Sequence, residues 1–284
     1  MLVAVLLPLP AAAAWPDDVV LSGMTTFGGV EVLDRDTLAA DYRQVVAELG
    51  AGIAHAPLPP YTLGARGFEV AGTVQMFFKD VYPDAADQPA AWERVHPEGD
   101  PEPFLVTPGL VVRKGLPFSV ELGFQGAWVA ATRQGVLGGW ARVALVEQDK
   151  PYPDVALHLG YTGYIGNDEL ELGTLVFGGT LGSLFRVGPK AGMKAARITP
   201  YLDISLLAVY AAPVLPVELG ASIGASAFGA ASPDPAEIPA EAPIALARFS
   251  GGLEVVAGSL LIRLTGGYTL GARAYAAVAL GFNY

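Results

Sequence analysis

Cysteine is absent from this 284-residue chain, so no disulfide scaffold holds it together. Charge is scarce: 16% of residues are Asp, Glu, Lys or Arg, few for a water-facing surface. No internal apolar run reaches the ~18 residues a membrane-spanning helix needs. A basic excess is also lacking. The net charge is −11, and the acids gather between the apolar segments, at Asp84, Asp87, Glu93, Glu98, Asp100 and Glu102 and again at Asp234, Glu237 and Glu241. Nucleic-acid binding needs a basic stripe and is excluded. No His/Asp/Glu cluster has metal-ligand spacing, and Gly178-Gly179-Thr180-Leu181-Gly182 lacks the Lys-Ser/Thr of a phosphate loop.

What the chain does have is apolar residues, 52% of the total, and 35 glycines. Such content without a spanning helix leaves a large buried core or a sheet that faces lipid. Glycine eases tight strand contacts and bends, which favours a barrel. The last residues carry the strongest pattern. Val278, Leu280, Phe282 and Tyr284 alternate with Ala279, Gly281 and Asn283, and the chain stops on the aromatic. An apolar-out, small-in strand of this kind reads as the barrel-closing strand that outer-membrane assembly machinery recognises.

The same period of two recurs over 66–79, 103–114, 117–131, 135–147, 153–165, 168–184, 197–211, 244–257, 259–270 and 273–284. Each run suits a tilted membrane strand. Phe68, Val70, Val74, Met76 and Phe78 oppose Glu69, Thr73, Gln75 and Lys79. Leu260, Ile262, Leu264 and Tyr268 oppose Arg263 and Thr265. Leu170, Leu172 and Val176, read as lipid-facing, oppose Glu169 and Glu171. The expectation is an all-β, antiparallel transmembrane barrel of about ten strands over residues 66–284. Twelve is the alternative, if 19–28 and Val217 to Phe228 each add a strand. With both termini of a ten-stranded barrel in the periplasm, the long segments 80–103 and 212–243 fall outside the cell. The turns at Lys114 to Leu116 and at Gly258 then fall inside, and so does the longer connection 185–196, the exception to short inner turns.

Before the barrel, residues 1–14 read as a secretory signal, an apolar run followed by small residues. Residues 15–65 form an N-terminal segment. Within it Leu38, Tyr42, Val45, Val46 and Leu49 recur at helical spacing, which predicts a helix over 36–49 ending at Gly50. Its apolar stripe needs a partner, either at the periplasmic mouth or as a plug in the lumen. Ala56-Pro57-Leu58-Pro59-Pro60 follows as a rigid, extended connector.

Alternation turns twelve charges inward: Glu69, Glu121, Glu169, Glu171, Asp203 and Glu254 against Lys79, Arg113, Arg142, Arg248, Arg263 and Arg273. Ten strands make a narrow bore, so these charges must pair or be hydrated. A salt-bridged interior and a narrow polar pathway are both compatible with them. Aromatics such as Trp128, Trp140, Tyr161, Tyr164, Tyr201, Tyr210, Tyr268 and Tyr275 fall at strand ends or on the inward face; interfacial girdles use the former. Catalysis is not expected. His55 lies in the connector and His96 in the acidic loop, while His158 is the one strand histidine, with no His-x-Ser partner.

The stretches VVAELGAGIAHAPLPPYTLGARGFEV, AWERV and VRKGLPFSVELG resemble an uncharacterised group of proteobacterial outer-membrane β-barrel proteins, over roughly residues 36–211. In that group a short helix and a Pro-rich connector precede the first strand, and an Arg-Lys-Gly-Leu-Pro-Phe turn joins strands two and three. The resemblance implies fold and outer-membrane location and brings no site residues. The functional expectation is a non-enzymatic barrel without cofactor, structural or passing small solutes or lipids. A plugged transporter of hydrophobic molecules, and a surface adhesion protein acting through 80–103 and 212–243, are the alternatives.

Overall fold

The computed structural model describes residues 18–21, 24, 26–27, 30–31, 35–82, 89–96, 101–147, 153–188, 196–214 and 243–284. The expected leader, Val217 to Phe228, and much of the 80–103 and 212–243 loops lie outside the described residues.

Ten strands close into one antiparallel ring. They are β3 (Phe68–Phe78), β4 (Phe104–Leu116), β5 (Val120–Trp128), β6 (Gly135–Val146), β7 (Asp154–Ile165), β8 (Leu170–Gly182), β10 (Ala196–Pro213), β11 (Ile244–Ala257), β12 (Leu260–Thr269) and β13 (Ala274–Asn283). Each pairs with the next, β10 pairs with both β8 and β11, and β13 returns to pair with β3. At the seam Phe68 and Tyr284 exchange backbone hydrogen bonds of 2.9 and 2.8 Å. Closure leaves no edge strand, the condition for β-structure in hydrocarbon. Outside the ring, β1 (Thr26–Phe27) pairs only with β2 (Val30–Glu31), and β9 (Phe185–Val187) only with the start of β10. Among the described residues, those of 19–28 contribute no barrel strand, and the ring closes with ten strands rather than twelve.

The outer wall is apolar. On β10 Leu202, Ile204 and Leu206 are 63%, 62% and 60% exposed, while the alternating Tyr201, Asp203 and Ser205 are 3%, 2% and 1% exposed. In water such a belt would be a sticky patch; around a closed barrel it is a lipid-facing surface. The terminal strand follows suit, with Val278, Leu280, Phe282 and Tyr284 all exposed on the outer face.

The barrel has a closing end, where Phe68 meets Tyr284, and a far end. The closing end carries the connections 117–119, 147–153, 183–195 and 258–259, and the far end carries the two longest, 79–103 and 214–243, with 129–134, 166–169 and 270–273. Phe118 and Ser119 reverse the chain between β4 and β5 with left-handed φ of 65° and 55°. The turn expected at Lys114 to Leu116 lies three residues later, and Gly115 is part of β4. A Cβ there would lie 2.0 Å from the Gly64 carbonyl oxygen, so its bareness lets the N-terminal segment lie against β4.

The helix α1 (Arg35–Ile53) lies within the far half of the bore. Leu38, Tyr42, Val45, Val46 and Leu49 are all buried, in one cluster with Phe77, Leu105, Leu172, Val176, Leu207, Val209 and Leu246 from the wall. It does not stop at Gly50. That glycine is a packing position, since a Cβ there would sit 2.4 Å from a Val209 methyl. The apolar stripe also reverses the expected faces of β8. Leu170, Leu172 and Val176 turn inward onto the helix cluster, and Glu171 is exposed on the outer side. The lumen is greasy wherever a greasy helix fills it, and the exposed Glu171 stands at the rim, where charge meets head groups rather than hydrocarbon.

Candidate functional site

Below α1 the chain runs as an extended strap, residues 54–63, down the bore to the closing end. Proline at 57, 59 and 60 removes backbone donors, so the strap offers mainly carbonyl acceptors. The wall supplies donors to match. Gln75 of β3 reaches the Gly52 and Ala54 carbonyls at 2.7 and 3.2 Å. Arg248 of β11 reaches the His55 carbonyl at 3.0 Å and Tyr201 of β10 the Pro57 carbonyl at 3.2 Å. Arg142 of β6 bonds the Pro59 carbonyl and, at 2.8 Å, that of Tyr61. At the closing end Glu147 accepts from the Thr62 amide at 2.6 Å and from Ser119 at 2.6 Å. Above, Thr174 of β8 donates to the Gly50 carbonyl at 2.8 Å.

Beneath the strap lies a charge web of three acids and three bases. Strand register builds it: Glu69 stands opposite Arg113, Glu121 opposite Arg142, and Glu254 opposite Arg263. Glu69 pairs with Arg113 and, at 2.9 Å, with Arg263. Arg113 reaches Glu121 at 3.3 Å, Arg142 reaches Glu121 at 2.8 Å, and Arg263 reaches Glu254 at 2.6 Å. Arg263 and Glu69 meet across β13, where Ala279 stands opposite Arg263 and Asn283 opposite Glu69. All six side chains are at most 4% exposed. A buried ion costs several kcal/mol unless paired, and here every charge has at least one opposite partner.

The other six charges expected inward lie outside this web, with Lys79, Asp203 and Arg248 buried. Lys79 and Arg273 stand at the far mouth, Lys79 over the Trp92 ring at 4.6 Å and Arg273 paired with Asp80. Glu169 is in the connection before β8 and Glu171 faces outward. Arg248 serves the strap, as above. Asp203 accepts from Thr180 at 2.9 Å and from Ser205, and lies 3.4 Å from His158 Nε2.

At mid-bore His55 stacks on Trp140, with ring centroids 5.2 Å apart, and His158 meets it edge-on at 5.7 Å. Ser205 Oγ also lies 3.4 Å from His158 Nε2. This Ser/His/Asp grouping is not a hydrolytic relay. Serine and aspartate approach the same ring nitrogen, whereas a relay needs them on opposite nitrogens. No group of three His, Asp or Glu suited to a metal ion occurs among the described residues. The cavity beside the strap measures about 40 Å³, lined by Ala56, Leu58, Gln75, Gln125, Trp140 and Thr265 among others. That is room for on the order of three waters, not for a solute.

The far mouth is latched over α1. The short helix α2 (Ala91–Arg94) brings the Trp92 indole N–H to Glu48 at 2.6 Å, and the Asp80 amide reaches the same carboxylate at 3.0 Å. Arg94 pairs with Asp41 at 2.9 Å. Burial pushes the Glu48 carboxyl up, against the lowering effect of its Trp92 and Gln44 hydrogen bonds and of Arg273 and Lys79. Residues 18–20 are tied to the same rim: Asp18 accepts from the Arg133 amide, the Val19 carbonyl from Asn167, and the Val20 amide donates to Val95.

Aromatics divide by face. Trp128, Tyr161, Tyr210 and Tyr268 are exposed outside, while Trp140, Tyr164, Tyr201 and Tyr275 are buried within. Sequence reasoning missed Gln75, Trp140, Glu147 and Glu48 as partners of the N-terminal segment. For Gln75 the proline-rich strap was the available signal, because a segment short of backbone donors in a bore demands donors from the wall.

No protein-family model matches the chain, and no curated protein matches it. Among solved structures it is similar to the N-terminal β-barrel domain of Pseudomonas aeruginosa OprF (10% identity, TM-score 0.23, covering 78% of this chain and 99% of that one). It is similar too to Pseudomonas putida OprB in a high-pH structure (9% identity, TM-score 0.22, covering 76% and 70%). At such values no residue role passes from them to this chain.

Proposed function

We propose that the protein is a bacterial outer-membrane barrel, non-enzymatic, whose bore is shut by its own N-terminal segment. Displacement of α1 and the strap opens a narrow passage for small solutes or lipids. The closing end faces the periplasm and the far end the exterior, consistent with the two longest loops lying outside, with 183–195 the one long inner connection. The assembly machinery reads the strand that ends Val278, Leu280, Phe282 and Tyr284.

The observation that carries this reading is the set of wall donors, Gln75, Arg248, Tyr201 and Arg142, spent on strap carbonyls. A purely structural barrel of this width can fill its bore with wall side chains alone. Here the wall instead holds a separate segment by polar bonds, which can be exchanged for water. The test is single-channel recording in planar bilayers after deletion of residues 36–50, with detergent-resistant barrel mobility on gels as the folding check. Conductance should rise in a folded barrel. A folded, silent barrel would refute the plug.

A further inference from the structure

We infer that His55 is the acid trigger of the plug, its protonation expelling the strap from mid-bore and opening the passage. This deepens the plugged-barrel reading and rests on it.

The geometry sets His55 apart from the other bore groups. Its backbone carbonyl is held by Arg248, but both ring nitrogens are buried and without a hydrogen-bond partner. Trp140 covers one ring face. The backbone of β7 closes in as well, since a Cβ at Gly160 would lie 2.6 Å from the His55 ring. The neutral ring fits this slot as an apolar disc. A proton would add a cation that can neither donate a hydrogen bond nor reach water.

The charged groups around it oppose that cation. Arg248 of β11 and Arg142 of β6 bring guanidinium groups to it, and β7 presents His158 edge-on. Arg142 is neutralised by Glu121, and Arg263, which lines the cavity beside the strap, by Glu69 and Glu254. Asp203 of β10, an acid not spent on an arginine, lies behind His158 at 3.4 Å from that ring and already accepts from Thr180 and Ser205. From β3 and β5 come only the amides of Gln75 and Gln125. A proton on His158 has Asp203 beside it; a proton on His55 has no carboxylate in reach. The Trp140 face offers some cation–π compensation, but it replaces no lost water.

Burial first, then His158, Arg248 and Arg142, hold the His55 imidazole well below its ordinary value. A base held low in the seated state favours that state above its free value. The seated state loses this advantage as pH falls below the free value, where the released, hydrated histidine takes the proton. The strap's bonds to the wall are carbonyl acceptors throughout 54–61, so water can replace each of them as the segment leaves.

The experiment is a pH series from 7.5 to 3.5 on the full chain in planar bilayers. It compares wild type, His55→Gln, His158→Gln, and the pair Gly52→Cys/Phe77→Cys, whose β carbons would stand 3.3 Å apart. Wild type should be shut at 7.5 and open in acid, with open probability rising at least tenfold. His158→Gln should keep that opening, His55→Gln should lose it, and the oxidised cysteine pair should stay shut. Trp140 fluorescence read in parallel should change with pH in wild type and not in His55→Gln. An acid opening of His55→Gln equal to wild type, or no wild-type opening, overturns the trigger while leaving the plug intact. Acid conductance through the oxidised pair overturns the plugged reading itself.

Discussion

Arg142 joins the plug to the wall: one guanidinium nitrogen lies 2.8 Å from the Tyr61 carbonyl of the strap and 2.8 Å from the Glu121 carboxylate of the neighbouring strand. The residue therefore belongs both to the charge web and to the seal. Removing it takes from Glu121, whose side chain has no solvent exposure, its shorter ion pair, leaving Arg113 at 3.3 Å, and leaves two strap carbonyls without that donor. Arg142→Leu should destabilise the folded barrel by about 3–5 kcal/mol, read as a lower midpoint for loss of compact gel mobility on heating or in urea. The double variant Arg142→Leu/Glu121→Leu should be less destabilised than Arg142→Leu, because the under-compensated Glu121 carboxylate is gone while Arg113 keeps Glu69. Equal or greater loss in the double variant would show that the pair's charges are not the issue.

Helix packing gives a second outcome. A Cβ at Gly50 would stand 2.4 and 2.7 Å from the two Val209 methyls, and a β-branched side chain on a strand cannot swing both aside. Gly50→Ala should cost about 1–3 kcal/mol through overpacking. Val209→Ala in the same chain should recover most of that loss in the same melting assay.

Glu48 gives a pH dependence at the far mouth. Its carboxyl is raised by burial. For an acid raised in the folded state, the favourable contribution exists below the free value and disappears as pH climbs through the folded one. The charged form at neutral pH is therefore a burden that Gln avoids, and a Gln oxygen still accepts from the Trp92 indole. Glu48→Gln should melt higher than wild type at pH 8, and the gap should close on acidification toward pH 4. A gap that widens on acidification would contradict the assignment.

The turn between β4 and β5 carries local strain. Phe118 is 94% exposed and holds a φ of 65°, a conformation costing about 1–2 kcal/mol for a residue other than glycine. Phe118→Gly relieves it but frees the unfolded chain. The net expectation is a gain of about 0.5–1 kcal/mol in thermal resistance, with no change in conductance.

The barrel is legible in the sequence because lipid imposes one rule on every strand. Period two with an apolar outer face marks Phe68 to Phe78 and Val278 to Tyr284 alike, and the predicted runs fall within a few residues of all ten strands. The rule fails on β8 for a physical reason. Alternation reports which residues differ, not which side is water, and α1 makes the lumen apolar beside Leu170 and Leu172. The charge web is half legible. Inward Glu and Arg follow from the period, but Glu69 meeting Arg113 and Arg263 depends on register and on closure through β13. The slot around His55 is not legible, since Trp140, His158 and Arg248 come from three strands that only closure brings to one depth.

The most direct measurement uses the cysteine-free background. With Gly52→Cys/Phe77→Cys, a disulfide ties the end of α1 to β3, the β-carbon gap of 3.3 Å lying close to the usual range. Bilayer recordings are made in urea mild enough to leave the barrel folded, first oxidised and then after reductant. A bore sealed by its own N-terminal segment predicts a silent oxidised barrel and conductance steps after reduction. Identical currents in both states, from barrels shown to carry the disulfide, would contradict it.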